Sequence, residues 1–214
     1  MAEYRLYCFG ESGNCYKAAL MLQLSRLDWE QIHVDYFDGE TRSEEYRGKV
    51  NEMAEAPVLL HGPVRLSQSG VILDYLAERG GKFGPKSEDE RREILRWILF
   101  DNHKFTSYAA TLRFMLTFMK TGETPVTEFL RTRVNGAYGV LDRHLASGDF
   151  VVGGRPTIAD LSLCGYLFFG DELGVDPLSF ANIGKWLDRI RALPDWKHPY
   201  ELMKRAYKEV GSRQ

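Results

Sequence analysis

Between residues 51 and 69 the chain reads NEMAEAPVLLHGPVRLSQS, and the chemistry this stretch can do is recognition. Pro57 stands directly ahead of an apolar run, Val58, Leu59 and Leu60. Proline has no N–H to give a strand ladder and is confined to edges, first positions or bulges, so its place here calls for a special backbone. A cis peptide at Ala56–Pro57 supplies one. It leaves the N–H and C=O of Ala56 free to pair with an extended, peptide-like ligand. After a Gly62-Pro63 turn and a second short strand pattern (Val64, Arg65, Leu66), Gln68 and Ser69 stand at the start of a helical pattern, where a helix N-terminus can hold a carboxylate. Serine at a helix start is also an ordinary N-cap, and that plainer role stays open. Together these residues describe a small dock for a peptide with an anionic end.

Other chemistries are poorly supplied. The three cysteines, Cys8, Cys15 and Cys164, form no CxxC and no metal-ligand spacing. His33, His61, His103, His144 and His198 do not cluster with carboxylates or thiols, so no metal is expected. A formal net charge of −2 lacks the basic surplus that phosphate-backbone binding needs, which argues against nucleic acid. The apolar run at 161–169 is far short of the roughly 20 residues that span a bilayer, and the amino-terminal end carries no signal-peptide core. A cytoplasmic protein without a membrane partner is therefore expected. With 214 residues, 44% of them hydrophobic, the chain can build one large domain or two modest ones.

The elements that must position the dock follow from periodicity. Residues 4–9 alternate as a strand, 10–14 form a loop and 15–25 carry apolar residues at helical spacing. Residues 29–34 predict a second strand, parallel to the first through a crossover. The charged, glycine-punctuated stretch 37–50 reads as mobile, with at most a short helix near 43–46. Two strands around the Gly62-Pro63 turn and a helix over 69–78 complete the order β-α-β-α-β-β-α, that of a thioredoxin-like module over residues 1–79. Residues 80–86 are rich in Gly and Pro and lack periodicity, as a linker does. Residues 87–214 predict only helices, over 87–119, 125–146, 161–173, 183–192 and from 199 to about 210. Thr157 and Asp160 form a capping box ahead of the third of these. The fold class is thus α/β plus all-α, a thioredoxin-like domain followed by a helical bundle.

Four stretches taken in order resemble the cytosolic glutathione S-transferase family: SGNCYK at 12–17, the 51–76 run with APVL and LSQSGVILDYL, G-x-x-PTIADLSL at 153–163 and KWLDRIRALPDW at 185–196. The likeness covers essentially the whole chain and is closest to serine-type, theta-like or bacterial members. It implies a homodimeric detoxification enzyme with glutathione as co-substrate, conjugated to a small apolar electrophile, or a related glutathione-dependent peroxidase, dehalogenase, isomerase or non-catalytic binding protein on the same fold.

The resemblance also implies roles. Ser12, at the N-terminal end of the first helix, becomes the hydroxyl that holds the glutathione thiolate, since thiolate and not thiol attacks electrophiles; its rival role is again the N-cap. Ala56 and Pro57 meet the cysteinyl portion, and Gln68 with Ser69 the γ-glutamyl end. Asn14 either donates to the sulfur or caps the helix. Tyr7 is one residue off the site that tyrosine-type members use, and strand alternation turns it to the opposite face. Cys15 lies inside the helix, where a packed, inert thiol is expected. Many members place Lys or Gln against the glycyl carboxylate where this chain has Glu55, so Arg42 or Lys49 is expected to compensate. Asp101 is expected to reach the γ-glutamyl ammonium across a dimer interface. Gly10, Phe105, Tyr108, Leu112 and Met115 are the candidates for the electrophile site, with Tyr108 as a proton donor.

Overall fold

A computed structural model describes residues 2–208. Strand β1 (Tyr4–Cys8) follows its alternation: Tyr4, Leu6 and Cys8 are buried while Arg5 and Tyr7 are half-buried. It pairs in parallel with β2 (Trp29–His33) and antiparallel with β3 (Val58–His61), which carries β4 (Val64–Ser67) on its far side. The mixed sheet therefore runs β2-β1-β3-β4. Helix α1 (Gly13–Leu24) makes the crossover between the parallel pair, and its apolar residues are buried nearly all round. Helix α3 (Ser69–Gly80) packs on α1 and buries Ile72, Leu73, Leu76 and Ala77. The thioredoxin-like order expected from the sequence is the order found.

The stretch read as mobile is folded. It holds a turn of 3-10 helix, Glu40–Arg42, and helix α2 (Glu44–Lys49), capped by Ser43, whose Oγ accepts from Tyr46 N at 3.1 Å. Tyr46 is the reason: its buried ring meets Tyr7 edge-on and anchors the segment to the sheet.

Residues up to Gly80 and those from Lys197 on form one compact unit, and Gly81–Trp196 forms a second. The last stretch, expected with the helical domain, thus belongs with the sheet. Its helix α9 spans only Pro199–Leu202, shorter than the pattern from 199 to about 210 implied; positions 209 and 210 lie outside the described residues. Beyond it the chain runs without helix as a strap, because its backbone groups find partners elsewhere. Lys204 N donates to Gln31 Oε1 at 2.8 Å and Lys204 O accepts from Gly10 N at 2.8 Å. Tertiary partners outweigh local helix propensity here.

The second unit is helical. Helices α4 (Glu88–Phe100) and α5 (Thr106–Arg113) are joined by a π-helical turn, Asp101–Phe105, and a second π turn, Phe114–Phe118, follows α5. The pattern over 87–119 is therefore one helical run with two wide turns. Helix α6 (Pro125–Leu145) starts from the Thr124 cap. Helix α7 (Ile158–Leu163) is shorter than the 161–173 pattern suggested: it passes into 3-10 turns, and Gly170 and Gly174 take positive φ, 55° and 72°, which a helix cannot continue through. Helix α8 (Ala181–Arg191) closes the bundle. Asp160 is fully buried and knits these pieces together, accepting from Thr157 N, Thr157 Oγ1, Val151 N and Trp186 Nε1 at 2.8–3.0 Å. The tryptophan bond is invisible in a local capping pattern.

Candidate functional site

The site is built where two helices begin. Ser12 has extended backbone, φ −88° and ψ 114°, and caps α1, its Oγ accepting from Cys15 N at 3.1 Å. Its carbonyl accepts from Tyr16 N at 2.9 Å and its own N–H donates to Phe9 O at 3.2 Å. A serine hydroxyl has one proton and two lone pairs, so capping uses an acceptor and leaves the donor. Among the described residues no nitrogen or oxygen takes that proton, and the group it can otherwise reach is the buried Cys15 sulfur. Ser12 is 7% exposed, so the hydroxyl works in a poorly hydrated place where hydrogen bonds are stronger than in water.

Asn14 links this helix start to the next. Ser69 Oγ donates to Asn14 Oδ1 at 3.5 Å, a long bond that holds the beginnings of α1 and α3 side by side. Helix α3 starts at Ser69, and Gln68 O accepts from Ile72 N as a capping carbonyl does. The first N–H groups of a helix have no partner within the helix and carry partial positive charge, and the Ser69–Asn14 contact brings two such ends together. An anion is favoured there.

The peptide bond Ala56–Pro57 is cis, and among the described residues nothing is hydrogen-bonded to the N–H or C=O of Ala56. The neighbouring Glu55 carbonyl is doubly held, by Asn51 Nδ2 at 2.9 Å and Tyr46 Oη–H at 3.1 Å. Asn51 also accepts from Met53 N at 3.1 Å, an Asx turn that closes the loop ahead of the proline. Neither holding residue was singled out from the sequence, although an Asn four residues before such a carbonyl is the usual seed of that turn.

Gln68 sits in the left-handed region, φ 69°, and its amide nitrogen donates to Glu55 Oε2 at 2.8 Å. The carboxylate and the amide expected to hold the ligand thus hold one another. Of the two cations expected to offset Glu55, Lys49 forms an exposed i,i+4 pair with Glu45 at 3.0 Å, while the exposed Arg42 guanidinium lies over Gly39.

The rival sulfur partners are removed by burial. Cys15 is fully enclosed, and desolvation pushes its thiol up to about 12, against the smaller opposing effects of the Ser12 and Phe9 hydrogen bonds. Desolvation, with Cys15 adding to it, also raises Cys8 well above its usual value. Both stay protonated at neutral pH and neither is a nucleophile. Tyr7 stands on the Tyr46 side of the sheet, the face opposite Leu6 and Cys8.

Several expectations are corrected. At Gly10 the strap lies close: a Cβ there would stand 3.0 Å from Met203 O and 3.3 Å from Arg205 Cα. Asp101, expected at a subunit interface, is fully buried within its own chain, and its two oxygens accept from Thr106 Oγ1 at 2.6 Å and Ser162 Oγ at 2.5 Å. Phe105 and Leu112 are core residues with no exposure, Phe105 packed on Tyr138 with ring centroids 4.9 Å apart. Tyr108 and Met115, seven residues apart on the same run, are half-buried and keep an accessible side.

The chain matches two family models, the glutathione S-transferase N-terminal domain over residues 2–78 and the glutathione S-transferase C-terminal domain over residues 105–194. A solved glutathione S-transferase from Pseudomonas fluorescens Pf-5 is 31% identical with a TM-score of 0.86, the match covering 92% of this chain and 99% of that one. Glutathione S-transferase F14 of Arabidopsis thaliana is 25% identical over 93% of this chain and 81% of its own length. The disulfide-bond oxidoreductase YfcG of Escherichia coli strain K12 is 26% identical over 87% of this chain and 89% of its own.

Proposed function

The chain belongs to the glutathione S-transferase family, and from that premise we propose that it binds glutathione between the starts of α1 and α3 and transfers its thiolate to a small apolar electrophile. The backbone of Ala56, unengaged by the rest of the chain, pairs with the cysteinyl portion. Ser69 and the first N–H groups of α3 take the γ-glutamyl carboxylate, each such charge at a helix start gaining about 0.3–1 kcal/mol. Ser12 then donates its remaining proton to the sulfur. A free thiol has a pKa of about 8.5 and is mostly protonated at neutral pH, so a donor that prefers S⁻ increases the reactive fraction tenfold for each unit it lowers that pKa.

The observation that carries this reading is the hydroxyl of Ser12, fixed by Cys15 N as acceptor at the positive end of a helix, with its proton engaged by no nitrogen or oxygen among the described residues. The test is conjugation of a chloroaromatic electrophile by wild type and Ser12→Ala, beside calorimetric binding of glutathione. Retained binding with a rate about 100-fold lower supports it, that being the usual cost of losing one donor to a developing anion. An unchanged rate refutes it.

A second reading, reduction of disulfides or peroxides by the bound thiolate, is favoured by the likeness to YfcG. Since Cys15 stays protonated, the sulfur in that reaction is also glutathione's. Turnover of a small mixed disulfide or an organic peroxide faster than the chloroaromatic selects it. On either reading we take the protein to act in the cytoplasm as a homodimer that removes reactive compounds, as the family resemblance implies.

A further inference from the structure

The residue beside Ser12 is an acid buried without ligand chemistry of its own. Glu11 is 3% exposed, and the strap that follows α9 brings three donors to its carboxylate. Oε1 accepts from Arg205 Nε and from Tyr207 N, each at 3.1 Å, and Oε2 accepts from Ala206 N at 2.9 Å. These partners lie 194 to 196 positions away in sequence. A buried carboxylate with charge-assisted bonds to main-chain N–H groups is a strong fixture, and losing its partners leaves an unpaired charge.

The rest of the loop is held from the same side. Gly10 N donates to Lys204 O, and the strap leaves no room for a Cβ at Gly10. Phe9 stacks on Tyr36 at 4.7 Å, Phe37 meets Phe9 edge-on, and Tyr207 of the strap meets Phe37 at 5.1 Å. Phe9, Gly10 and Glu11 are thus tied to the strap directly or through one ring. Ser12 follows immediately, and among the described residues it is anchored by the first turn of α1, where it meets Cys15, and by the Phe9 carbonyl. A displacement of Glu11 must pass into the φ and ψ of Ser12.

We propose that Glu11 is a positioning residue for Ser12: by clamping the strap at Arg205, Ala206 and Tyr207 it fixes the backbone from which the Ser12 hydroxyl is aimed at the glutathione sulfur. This rests on the role given to Ser12 above. The strap is the outer wall of the loop, and Glu11 is the bolt between them. Gln at this position keeps one acceptor oxygen but turns an amide donor toward Ala206 N, so Glu11→Gln breaks the clamp with little change in volume.

The experiment measures, on the full chain, the pKa of the bound glutathione thiol by the ultraviolet absorbance of its thiolate, together with kcat and KM for conjugation. In Glu11→Gln the bound thiol's pKa is expected to rise by about one unit, a tenfold loss of thiolate at a pH below both values. kcat falls by a similar factor while KM for glutathione changes less than twofold. In the Ser12→Ala background Glu11→Gln adds no further effect, since the two act through one hydroxyl. Arg205→Ala, which removes only the half-exposed partner, gives a smaller shift in the same direction and keeps the test decisive if Glu11→Gln misfolds. A thiol pKa unchanged in both variants while the Ala206 and Tyr207 amides exchange faster overturns the proposal: the clamp would then hold the strap and nothing else. A wild-type protein that binds no glutathione overturns the reading of Ser12 itself and is recognised by failing before any variant is made.

Discussion

Cys15 N donates to Ser12 Oγ at 3.1 Å, so the cap of α1 and the hydroxyl offered to the substrate are one atom group with two jobs. The acceptor job is stability and the donor job is chemistry, and the two separate by substitution. Ser12→Thr keeps both an acceptor and a proton, whereas Ser12→Ala keeps neither. Ser12→Ala is expected to lose about 1 kcal/mol in urea denaturation, the usual cost of an N-cap, together with most of its conjugation rate. Ser12→Thr is expected to keep the stability and more than a tenth of the rate. A Ser12→Ala protein as stable as wild type would mean that the cap bond contributes nothing.

Asp160 gives the largest stability effect expected in the second unit. Its two oxygens accept four hydrogen bonds inside the core, and burial raises its pKa even though each of those bonds opposes the rise. Asp160→Ala leaves four donors unpaired, among them Trp186 Nε1. A loss of about 3–5 kcal/mol is expected, read as a fall in the urea midpoint at unchanged m-value. Asp160→Asn, which keeps one acceptor oxygen, is expected to lose less. A shift below 1 kcal/mol for Asp160→Ala would show that water reaches those donors.

What the sequence made legible divides by distance along the chain. Strand alternation placed Cys8 and Tyr7 on opposite faces, and the local Thr157–Asp160 pattern located the start of α7, because both depend on neighbours within four residues. The strap carries a helical pattern in sequence yet is not helix, because its partners, Gln31, Gly10 and Glu11, lie more than 170 positions earlier and leave no local trace. Helical spacing put Phe105, Tyr108, Leu112 and Met115 on one stripe, but it cannot tell the side that meets the core from the side that stays open. The structure buries the first and third and leaves the second and fourth half-exposed. The pair Glu45–Lys49 is readable from its i,i+4 spacing alone.

The buried thiols predict how stability depends on alkaline pH. The folded value of Cys15 is raised, to about 12 from an ordinary 9.0, so the native state holds its proton longer than the unfolded chain does. That contribution is fully present below pH 9.0 and is lost as pH rises toward 12. Through that window it takes about 1.4 kcal/mol of stability per pH unit. Cys15→Ala removes this slope and leaves the one that Cys8 contributes. Urea midpoints measured from pH 8 to 10.5 should therefore fall less steeply for the variant, whatever its stability at neutral pH. Parallel curves would show that the Cys15 thiol ionises in the folded protein as easily as in water.

Glu55 and Gln68 are joined at 2.8 Å, and that bond bears on how strongly an anionic peptide can be held. A carboxylate beside the cradle repels the acid groups of glutathione and keeps the Gln68 amide occupied. Glu55→Lys reverses the charge and frees the amide at once. Where two unit charges near a surface come within about 4 Å the change is worth several kcal/mol before screening, of which solvation and side-chain entropy leave roughly 1–2 kcal/mol. The Kd for glutathione is expected to fall about tenfold at low salt, since each 1.4 kcal/mol is a factor of ten. In 1 M salt, where the screening length is about 3 Å, the gain should largely vanish. Lys49→Ala, by contrast, is expected to leave the Kd within twofold, since in the structure the Lys49 ammonium pairs with Glu45. If Glu55→Lys does not tighten binding while Arg42→Ala weakens it severalfold, the arginine already supplies the missing cation and Glu55 faces away from the ligand.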